Sequence, residues 1–91
     1  MKSIWKWKLK LDQSVNILEM PGNAEIITVQ IQFDDMPHLW AIVNIQYPLE
    51  KRKFVLYRTG QELPSNPGVY IGTFQIYNNG VHVFEDRSYE G

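Results

Sequence analysis

Residues 20–47 of the chain read MPGNAEIITVQIQFDDMPHLWAIVNIQY, and this stretch decides the fold. Residues 25–33 and 38–47 each alternate between two sets of side chains, with the period of two that is typical of a β-strand. Turn-forming residues precede the first of these strands and separate it from the second. The stretch therefore predicts a central hairpin of two long strands in a small all-β domain.

The remainder of the chain shows the same alternation, so we expect about seven strands and no helix. The other predicted strands are residues 4–11, 15–20, 53–59, 69–77 and 81–85. Residues 1–91 then form a single all-β domain of mostly antiparallel strands, either a β-sandwich or a partly open barrel. Residues 86–91 are expected to form a frayed tail.

Alternation also assigns the faces of the two hairpin strands. In the first strand it places Ile27, Val29, Ile31 and Phe33 in the core and leaves a polar stripe that faces water or a partner. In the second strand, residues 39–43 are apolar at both sets of positions. This pattern predicts a strand that is covered on both sides.

The N-terminal strand carries lysines at alternate positions, and such lysines often protect the edge of a sheet. Trp5 and Trp7 alternate with these lysines and are expected to face the core. A stacking surface for single-stranded nucleic acid needs aromatic rings and cations on the same face. Because the tryptophans and lysines of this strand lie on opposite faces, the sequence argues against nucleic acid as a partner.

Glycines mark three points of backbone geometry. Pro21 and Gly22 suit the central positions of a type II turn, with Gly22 at positive φ. Asn79 and Gly80 supply the two positive-φ residues of a type I′ hairpin turn. Gly72 lies inside a predicted strand, where it indicates a β-bulge or a close approach of another backbone.

The composition argues against several classes of function. The net charge is −1 over 91 residues, which provides no general positive field for nucleic acid or an anionic membrane. The chain has no cysteine, so it has neither disulfides nor thiol chemistry. Neither a signal peptide nor an apolar run long enough to cross a membrane is recognisable. We therefore expect a cytoplasmic protein with no membrane partner.

The polar stripe on the first hairpin strand is the main candidate for a binding site. It consists of Thr28, Gln30 and Gln32, and the second hairpin strand can add Trp40 and Asn44. An aromatic wall with a few hydrogen-bonding groups is how a pocket fixes a small polar ligand. The alternative interpretation is that this stripe is only a solvated face.

A second candidate lies beside the longest loop of the chain, GQELPSNPG at residues 60–68. Loops near this length are often functional. Arg58, Thr59 and Gly60 lead into this loop and are candidates for an anion-binding corner. The predicted working surface therefore combines the polar stripe with this loop.

Catalytic and metal-binding patterns are missing from the sequence. His38 and His82 are the only histidines, and neither has a second ligand at the spacing that zinc sites use. Asp34, Asp35 and His38 can meet on one loop around a cation, although a solvated acidic turn is the simpler interpretation. No nucleophile elbow or phosphate-binding glycine loop occurs. We therefore expect a non-enzymatic protein without a cofactor or metal.

Four segments carry a resemblance to a known family: MPGNAEIITVQIQ, HLWAIV, KRKFVLYRTG and YIGTFQIYNNGVHVFE. Together with the Ile-Trp-Lys at residues 4–6, they resemble a family of short uncharacterised proteins of tailed bacteriophages and bacterial prophages. The chain departs from that pattern where Pro21 and Gly22 are adjacent and where Asn44 replaces the usual Asp. The resemblance implies a phage or prophage origin and a host-facing accessory role, but no particular activity.

Together, these observations lead to a functional hypothesis. We expect an accessory binding protein of the anti-defence type that inhibits or modulates a host factor in the host cytoplasm. It would do so by binding a host protein or by sequestering a small polar or anionic signalling molecule. The abundance of aromatic residues also predicts a homo-oligomer, most simply a closed dimer. Two alternatives stay open, a virion-associated structural or assembly protein and a single-stranded nucleic-acid-binding module.

Overall fold

The computed structural model describes residues 1–91 and contains seven β-strands and no helix. The strands are β1 (Lys2–Lys8), β2 (Val15–Pro21), β3 (Glu25–Ile31), β4 (Pro37–Asn44), β5 (Leu49–Arg58), β6 (Val69–Ile76) and β7 (Asn79–Asp86). All strand pairs are antiparallel. The all-β prediction is confirmed, and each predicted strand has a counterpart. There is no helix with the length and apolar character that crossing a bilayer requires.

The strands form two sheets, which we call sheet A and sheet B. Sheet A has the order β1-β4-β3, and sheet B has the order β2-β5-β7-β6. The two sheets pack as an open sandwich, because each has one apolar face to remove from water. The predicted central hairpin is β3–β4, with β4 in the middle of sheet A. β1 lies at an edge of sheet A, as its lysines predict.

The core lies between the inner faces of the two sheets. Many of its fully enclosed side chains come from alternate positions on the central strands, with Leu39 and Val43 on β4 and Phe54 on β5. The buried apolar residues are Leu9, Met20, Ala24, Val29, Leu39, Ala41, Val43, Phe54, Leu56, Phe74, Val81 and Val83. Burying each of the larger side chains stabilises the fold by roughly 1.5–3 kcal/mol.

Two residues predicted to lie in the core are exposed instead. The register between β3 and β4 shifts between Ile26 and Thr28, which shows a β-bulge at Ile27. As a result Ile27 is 47% exposed, and Ile26 packs against the core. Phe33 lies beyond the end of β3 and is fully exposed. The prediction was wrong at Ile27 and Phe33 because alternation assumes one unbroken strand.

β4 is not covered on both sides, which corrects a second prediction. Its inner-face residues are buried, whereas Trp40 and Ile42 on the outer face are only half-buried. The shielding of these two side chains comes from their neighbours on β1 and β3, since no further layer packs on sheet A. The outer face of sheet A is therefore an open surface with a tryptophan at its centre.

Of the two N-terminal tryptophans, only Trp7 packs against the core. Its indole Nε1 donates a hydrogen bond of 2.9 Å to the backbone carbonyl of Glu19 on β2, which joins the two sheets at one edge of the sandwich. Trp5 is 39% exposed, so the predicted burial was wrong there. β1 is an edge strand, and an edge strand is shielded by a neighbour on one side only.

The first predicted turn is present, but its positive-φ residue is different. Asn23 has a φ of 61°, and Gly22 does not adopt positive φ. The backbone N–H of Ala24 donates to the carbonyl of Pro21 at 3.3 Å, so the turn begins one residue later than predicted. Asparagine tolerates the left-handed region better than most residues, which permits this shift.

The predicted hairpin between β6 and β7 also turns at different residues. Tyr77 and Asn78 adopt positive φ values of 49° and 64°, and Ile76 pairs with Asn79. The two central residues are therefore Tyr77 and Asn78, and Asn79 and Gly80 already belong to β7. The hairpin was predicted correctly, but its turn was placed two residues too late.

The prediction for Gly72 is confirmed. The register between β6 and β7 shifts between Tyr70 and Gly72, which shows a bulge. A Cβ at Gly72 would lie 2.8 Å from Cγ1 of Val29 on β3. The missing side chain therefore lets β6 pack closely on β3 and joins the sheets at the edge opposite the Trp7 contact.

One ion pair is buried at an end of the sandwich. Arg52 donates from Nε and Nη2 to the two carboxylate oxygens of Glu85, at 2.6 and 2.8 Å, and from Nη1 to the carbonyl of Ala24. Glu85 is only 3% exposed, and Arg87 adds a bond of 3.1 Å. Burial raises the pKa of the Glu85 carboxyl, but the hydrogen bonds and charges of Arg52 and Arg87 outweigh burial and hold this pKa below its usual value.

The lowered pKa of Glu85 predicts a dependence of stability on pH. Because the unfolded carboxyl binds a proton more readily than the folded one, the ion pair stabilises the fold above the unfolded pKa, and this stabilisation is lost as pH falls through the folded pKa. We expect the free energy of unfolding, measured with urea, to fall less steeply below about pH 5 in Glu85→Gln than in the natural chain. Glu62→Gln, at an exposed loop position, is the matched control. Equal slopes in all three proteins would contradict this account.

Candidate functional site

The polar stripe predicted as a site borders a shallow groove on the outer face of sheet A, which we call groove A. Its volume is about 290 Å³, and its lining residues are Ile4, Ile27, Thr28, Gln30, Gln32 and Trp40. The structure therefore brings together Thr28, Gln30 and Gln32 on β3 with Trp40 on β4, as the sequence predicts.

The bulge in β3 shapes groove A. Trp40 lies between Lys6 on β1 and Thr28 on β3, in register with both. The extra residue of the bulge places Ile27 beside Thr28 on the groove wall rather than in the core. Bulges often redirect a side chain in this way near functional sites. The groove thus gains an apolar wall next to the indole ring.

Polar groups surround the indole on two sides. Lys6 donates from Nζ to Oε1 of Gln32 at 3.3 Å, across the outer face of sheet A. This bond orients the Gln32 amide and leaves its NH₂ group for a ligand. Thr28 and Gln30 add a hydroxyl and a second amide along the same strand.

The positive charge on the outer face of sheet A is carried by the lysines of β1. Lys8 pairs with Asp34 at 3.3 Å. Loss of hydration raises the pKa of Asp34. The hydrogen bond from the Met36 backbone N–H and the charge and hydrogen bond of Lys8 together lower this pKa by more, so it lies below its usual value. Lys6, in contrast, has only the neutral Gln32 amide as a partner. Its positive charge therefore remains available at the edge of groove A.

This arrangement corrects the argument made from β1 alone. Within β1, the lysines do lie on the other face of the strand from Trp5 and Trp7. They lie beside Trp40, however, because β4 is the neighbouring strand and Lys6 is in register with it. An aromatic ring and a cation therefore share one face, and this combination was not visible from a single strand.

His38 lies next to Trp40 and is 7% exposed, with 6.0 Å between the two ring centroids. Its Nδ1 is 3.1 Å from the carbonyl oxygen of Met36, to which Nδ1–H can donate. Asp34 and Asp35 are exposed in the preceding turn. The structure contains no group of three or more His, Asp or Glu side chains that can hold a metal ion.

Asn44 lies outside groove A. It is on the same face of β4 but at the far end, in register with Lys2. Its side-chain oxygen accepts a hydrogen bond of 3.0 Å from the backbone N–H of Gln46, and its carbonyl accepts one from Tyr47. Asn44 therefore shapes the turn that ends β4.

The predicted anion-binding corner belongs to another groove, on the outer face of sheet B, which we call groove B. Its volume is about 320 Å³, and its lining residues are Tyr57, Arg58, Thr59, Gly60, Gln61, Leu63, Tyr70, His82 and Phe84. The two outer faces point away from each other in the sandwich. The predicted working surface is therefore split into two separate grooves.

Aromatic side chains from three strands form the floor of groove B. Phe84 on β7 packs edge-on against Tyr57 on β5 and Tyr70 on β6, with ring centroids 5.7 and 5.5 Å apart. Such pairs add about 0.5–1.5 kcal/mol each to the stability given by buried area alone. Because these residues lie far apart along the chain, the sequence did not predict that they share a site.

A chain of hydrogen bonds crosses the sheet beside these rings. The Tyr70 hydroxyl is 2.6 Å from Oγ1 of Thr73, which is 2.9 Å from Nδ1 of His82. On the other side of the imidazole, Nε2 is 2.8 Å from Oγ1 of Thr59, and this hydroxyl donates to the carbonyl of Gly80 at 3.4 Å. His82 therefore links a residue of β6 to the start of the long loop.

Comparison with protein families assigns the chain. The model of one family, described as a domain of unknown function, matches residues 1–90. The chain belongs to the DUF7352 family. No curated protein and no solved structure matches this DUF7352 domain.

The largest groove of the DUF7352 domain, about 860 Å³, surrounds the buried ion pair at the end of the sandwich. Arg52 and Glu85 neutralise each other there. The half-buried ring of Tyr89, in the segment that follows β7, forms part of the wall. The buried charges of this groove are already paired with each other, so grooves A and B are the better candidates for ligand binding.

Proposed function

We propose that the chain is a non-enzymatic binding protein that sequesters a small, planar, anionic molecule of the nucleotide class in groove A. The observation that carries this proposal is the position of Trp40 between Lys6 and Thr28, with the Gln30 and Gln32 amides beside the ring. Each of these groups matches one part of a nucleotide. The indole matches the base face, the amides match the base edge, and the ammonium matches the phosphate.

Magnitudes favour the indole as the main source of affinity. Stacking of a base on an aromatic side chain is worth about 1–3 kcal/mol. The Gln32 amide is held by Lys6, so little conformational entropy is lost when it bonds to a base edge. The exposed ammonium of Lys6 adds a smaller, salt-dependent attraction to the phosphate.

The resemblance to phage and prophage proteins supports a host-directed role for such capture. A protein that removes a signalling nucleotide from the host cytoplasm would modulate the host factor that depends on it. Sequestration needs no catalytic groups, in keeping with the lack of catalytic motifs in the sequence.

Native mass spectrometry of tagged protein recovered from a bacterial lysate tests the proposal. We expect an added mass below about 1 kDa per subunit, released by heating, because a groove of this size holds only a small ligand. A host protein bound at fixed stoichiometry would overturn sequestration in favour of protein binding. The bare chain, as a monomer or homo-oligomer, would also overturn it.

Replacing Trp40 with alanine is expected to weaken binding of a mononucleotide about 10–100-fold, because the stacking surface is removed. Isothermal titration calorimetry with AMP, GMP, CMP and UMP measures this change in the dissociation constant. Trp5→Ala is the matched control, since it removes the same ring from the opposite face of sheet A. Equal losses in Trp40→Ala and Trp5→Ala would show that groove A is not the site.

A second candidate function is binding of single-stranded nucleic acid. The observation that favours it is the shared face of Trp40 and the lysines of β1. Binding of an oligothymidylate, followed by tryptophan fluorescence, would then tighten with oligonucleotide length and weaken steeply with salt. Affinity that does not change with length would exclude this function and leave the small ligand.

A further inference from the structure

Three aromatic rings meet on the outer face of sheet B and border groove B. Phe84 on β7 is in register with Tyr70 on β6, and Tyr57 on β5 lies diagonally across from it. The rings of Tyr57 and Tyr70 are inclined to the Phe84 ring by 79° and 63°. Rings that meet at such steep angles do not stack flat, so together they border a recess.

The one Lys, Arg, Asp or Glu residue that lines groove B is Arg58. Arg58 is in register with the fully buried Val81, so its side chain lies on the inner face of sheet B, away from Tyr57 and Phe84. Its backbone N–H donates to Oε1 of Gln61 at 3.0 Å, which fixes the main chain at the rim of the groove. The predicted anion-binding corner therefore has no cationic side chain, and groove B is not a site for an anion.

The polar side chains of groove B already bond to one another. The hydrogen-bond chain runs from the Tyr70 hydroxyl through Thr73 to His82 and on to Thr59, so both imidazole nitrogens have a hydroxyl partner. A ligand therefore gains little from hydrogen bonds to these groups. The surfaces that remain for it are the aromatic rings and Leu63 of the long loop, which is 47% exposed.

Aromatic rings attract cations, because the face of each ring carries a partial negative charge. The attraction is effective within about 6 Å of a ring centroid. The Phe84 centroid lies 5.7 Å from that of Tyr57 and 5.5 Å from that of Tyr70, so one small cation can be within range of two rings at once. A primary ammonium brings three N–H donors that need acceptors, whereas a quaternary ammonium brings none. The quaternary ion therefore suits a groove whose polar groups are already paired.

We propose that groove B is a second binding site, for a small molecule with a trimethylammonium head group. The head group lies against the rings of Tyr57, Tyr70 and Phe84, and Leu63 contacts its methyl groups. The volume of about 320 Å³ is at the lower end of the range for small-ligand sites, which suits one head group with a short substituent. This site is separate from groove A and takes a ligand of the opposite charge.

Titration of the full chain with choline, followed by ¹H–¹⁵N NMR, tests the proposal. Dimethylbutanol is the neutral probe of the same shape, in which a carbon atom replaces the nitrogen of choline. We expect choline to shift the amides of residues that line groove B and to bind about 10-fold more tightly than dimethylbutanol, because only choline is attracted to the ring faces as a cation. Equal affinities for the two probes would overturn the proposal, and so would shifts confined to residues outside groove B.

Tyr70→Leu is expected to weaken choline binding about 2–5-fold and to leave dimethylbutanol binding unchanged, because it removes a ring but keeps an apolar side chain. Tyr70 is 55% exposed, so the fold does not depend on it. Tyr70→Phe keeps the ring and should keep the affinity for choline. Tyr77→Leu is the matched control, because it removes a ring that is 86% exposed and lies outside groove B. Equal affinities of Tyr70→Leu and Tyr77→Leu for choline would overturn the proposal.

Fluorination of one ring separates attraction to a cation from simple apolar contact. A trifluorinated phenylalanine at the position of Phe84 keeps the shape of the ring and removes the partial negative charge from its face. It is expected to weaken choline binding and to leave dimethylbutanol binding unchanged. An unchanged affinity for choline in this variant would contradict the role assigned to the ring.

The same head group occurs in free compounds and on lipids, and vesicles distinguish the two sources. Choline binding without co-sedimentation of the chain with phosphatidylcholine vesicles supports a free compound as the ligand. Co-sedimentation with these vesicles, and not with phosphatidylglycerol vesicles, supports the site with a lipid as the source of the head group. Equal co-sedimentation of the natural chain and Tyr70→Leu would show that the vesicles bind elsewhere and would overturn the lipid source.

Discussion

Replacing Arg52 with methionine is expected to lower the free energy of unfolding by about 3–5 kcal/mol. The change leaves the carboxylate of Glu85 buried, with only the single bond from the largely exposed Arg87. It also removes the bond to the carbonyl of Ala24. Urea denaturation at neutral pH measures the loss directly.

Two comparisons make this expectation specific to the buried pair. Lys53→Met removes a partner of the more exposed Asp86 and should cost much less than Arg52→Met. Adding Glu85→Leu to Arg52→Met should recover much of the lost stability, because no buried charge then remains. If Arg52→Met and Lys53→Met prove equally mild, burial of the ion pair does not determine its contribution.

Replacing Gly68 with alanine is expected to cost about 2–6 kcal/mol, from backbone strain and overpacking together. Gly68 has a φ of 100°, a conformation that side chains disfavour. A Cβ there would collide with the backbone carbonyl of Glu85 and lie 3.3 Å from Cα of Asp86. Main-chain atoms of a paired strand cannot move aside cheaply, so β6 would have to separate from β7.

Gly60, at the other end of the same loop, provides the matched control. Its φ is 91°, but a Cβ there would meet nothing within 4 Å. Gly60→Ala should therefore cost only the backbone strain, about 1–3 kcal/mol. Thermal and urea unfolding of both variants separate the two contributions. Equal losses would show that the collision at Gly68 is relieved by local movement.

The strand positions followed from local pattern, and the departures from that pattern have identifiable causes. Residues 69–77 were recognised because β-branched and aromatic residues alternate between turn signals, and Gly72 marked the bulge correctly. The bulge at Ile27 had no such marker, since isoleucine suits an unbroken strand equally well. The face of Ile27 could therefore be settled only by the register with β4.

The site residues that could be predicted from the sequence are those that lie on one strand or on the two strands of one hairpin. Thr28, Gln30 and Gln32 share one strand, and Trp40 follows in the hairpin partner, so their proximity followed from the hairpin itself. The role of Lys6 depends on the pairing of β1 with β4, which no local pattern encodes. Groove B combines Tyr57, Tyr70 and Phe84 from three strands, and its assembly likewise requires the strand order.

The order of sheet A has a consequence for synthesis of the chain on the ribosome. Of the seven strands, β1 leaves the ribosome first, yet its only partner strand is β4. β1 therefore has no hydrogen-bonded neighbour until β3 and β4 have been made. An unpaired strand with two tryptophans is a hazard for aggregation during this interval. The alternate lysines of β1 discourage pairing with other nascent chains. They thus serve the polypeptide before any groove exists.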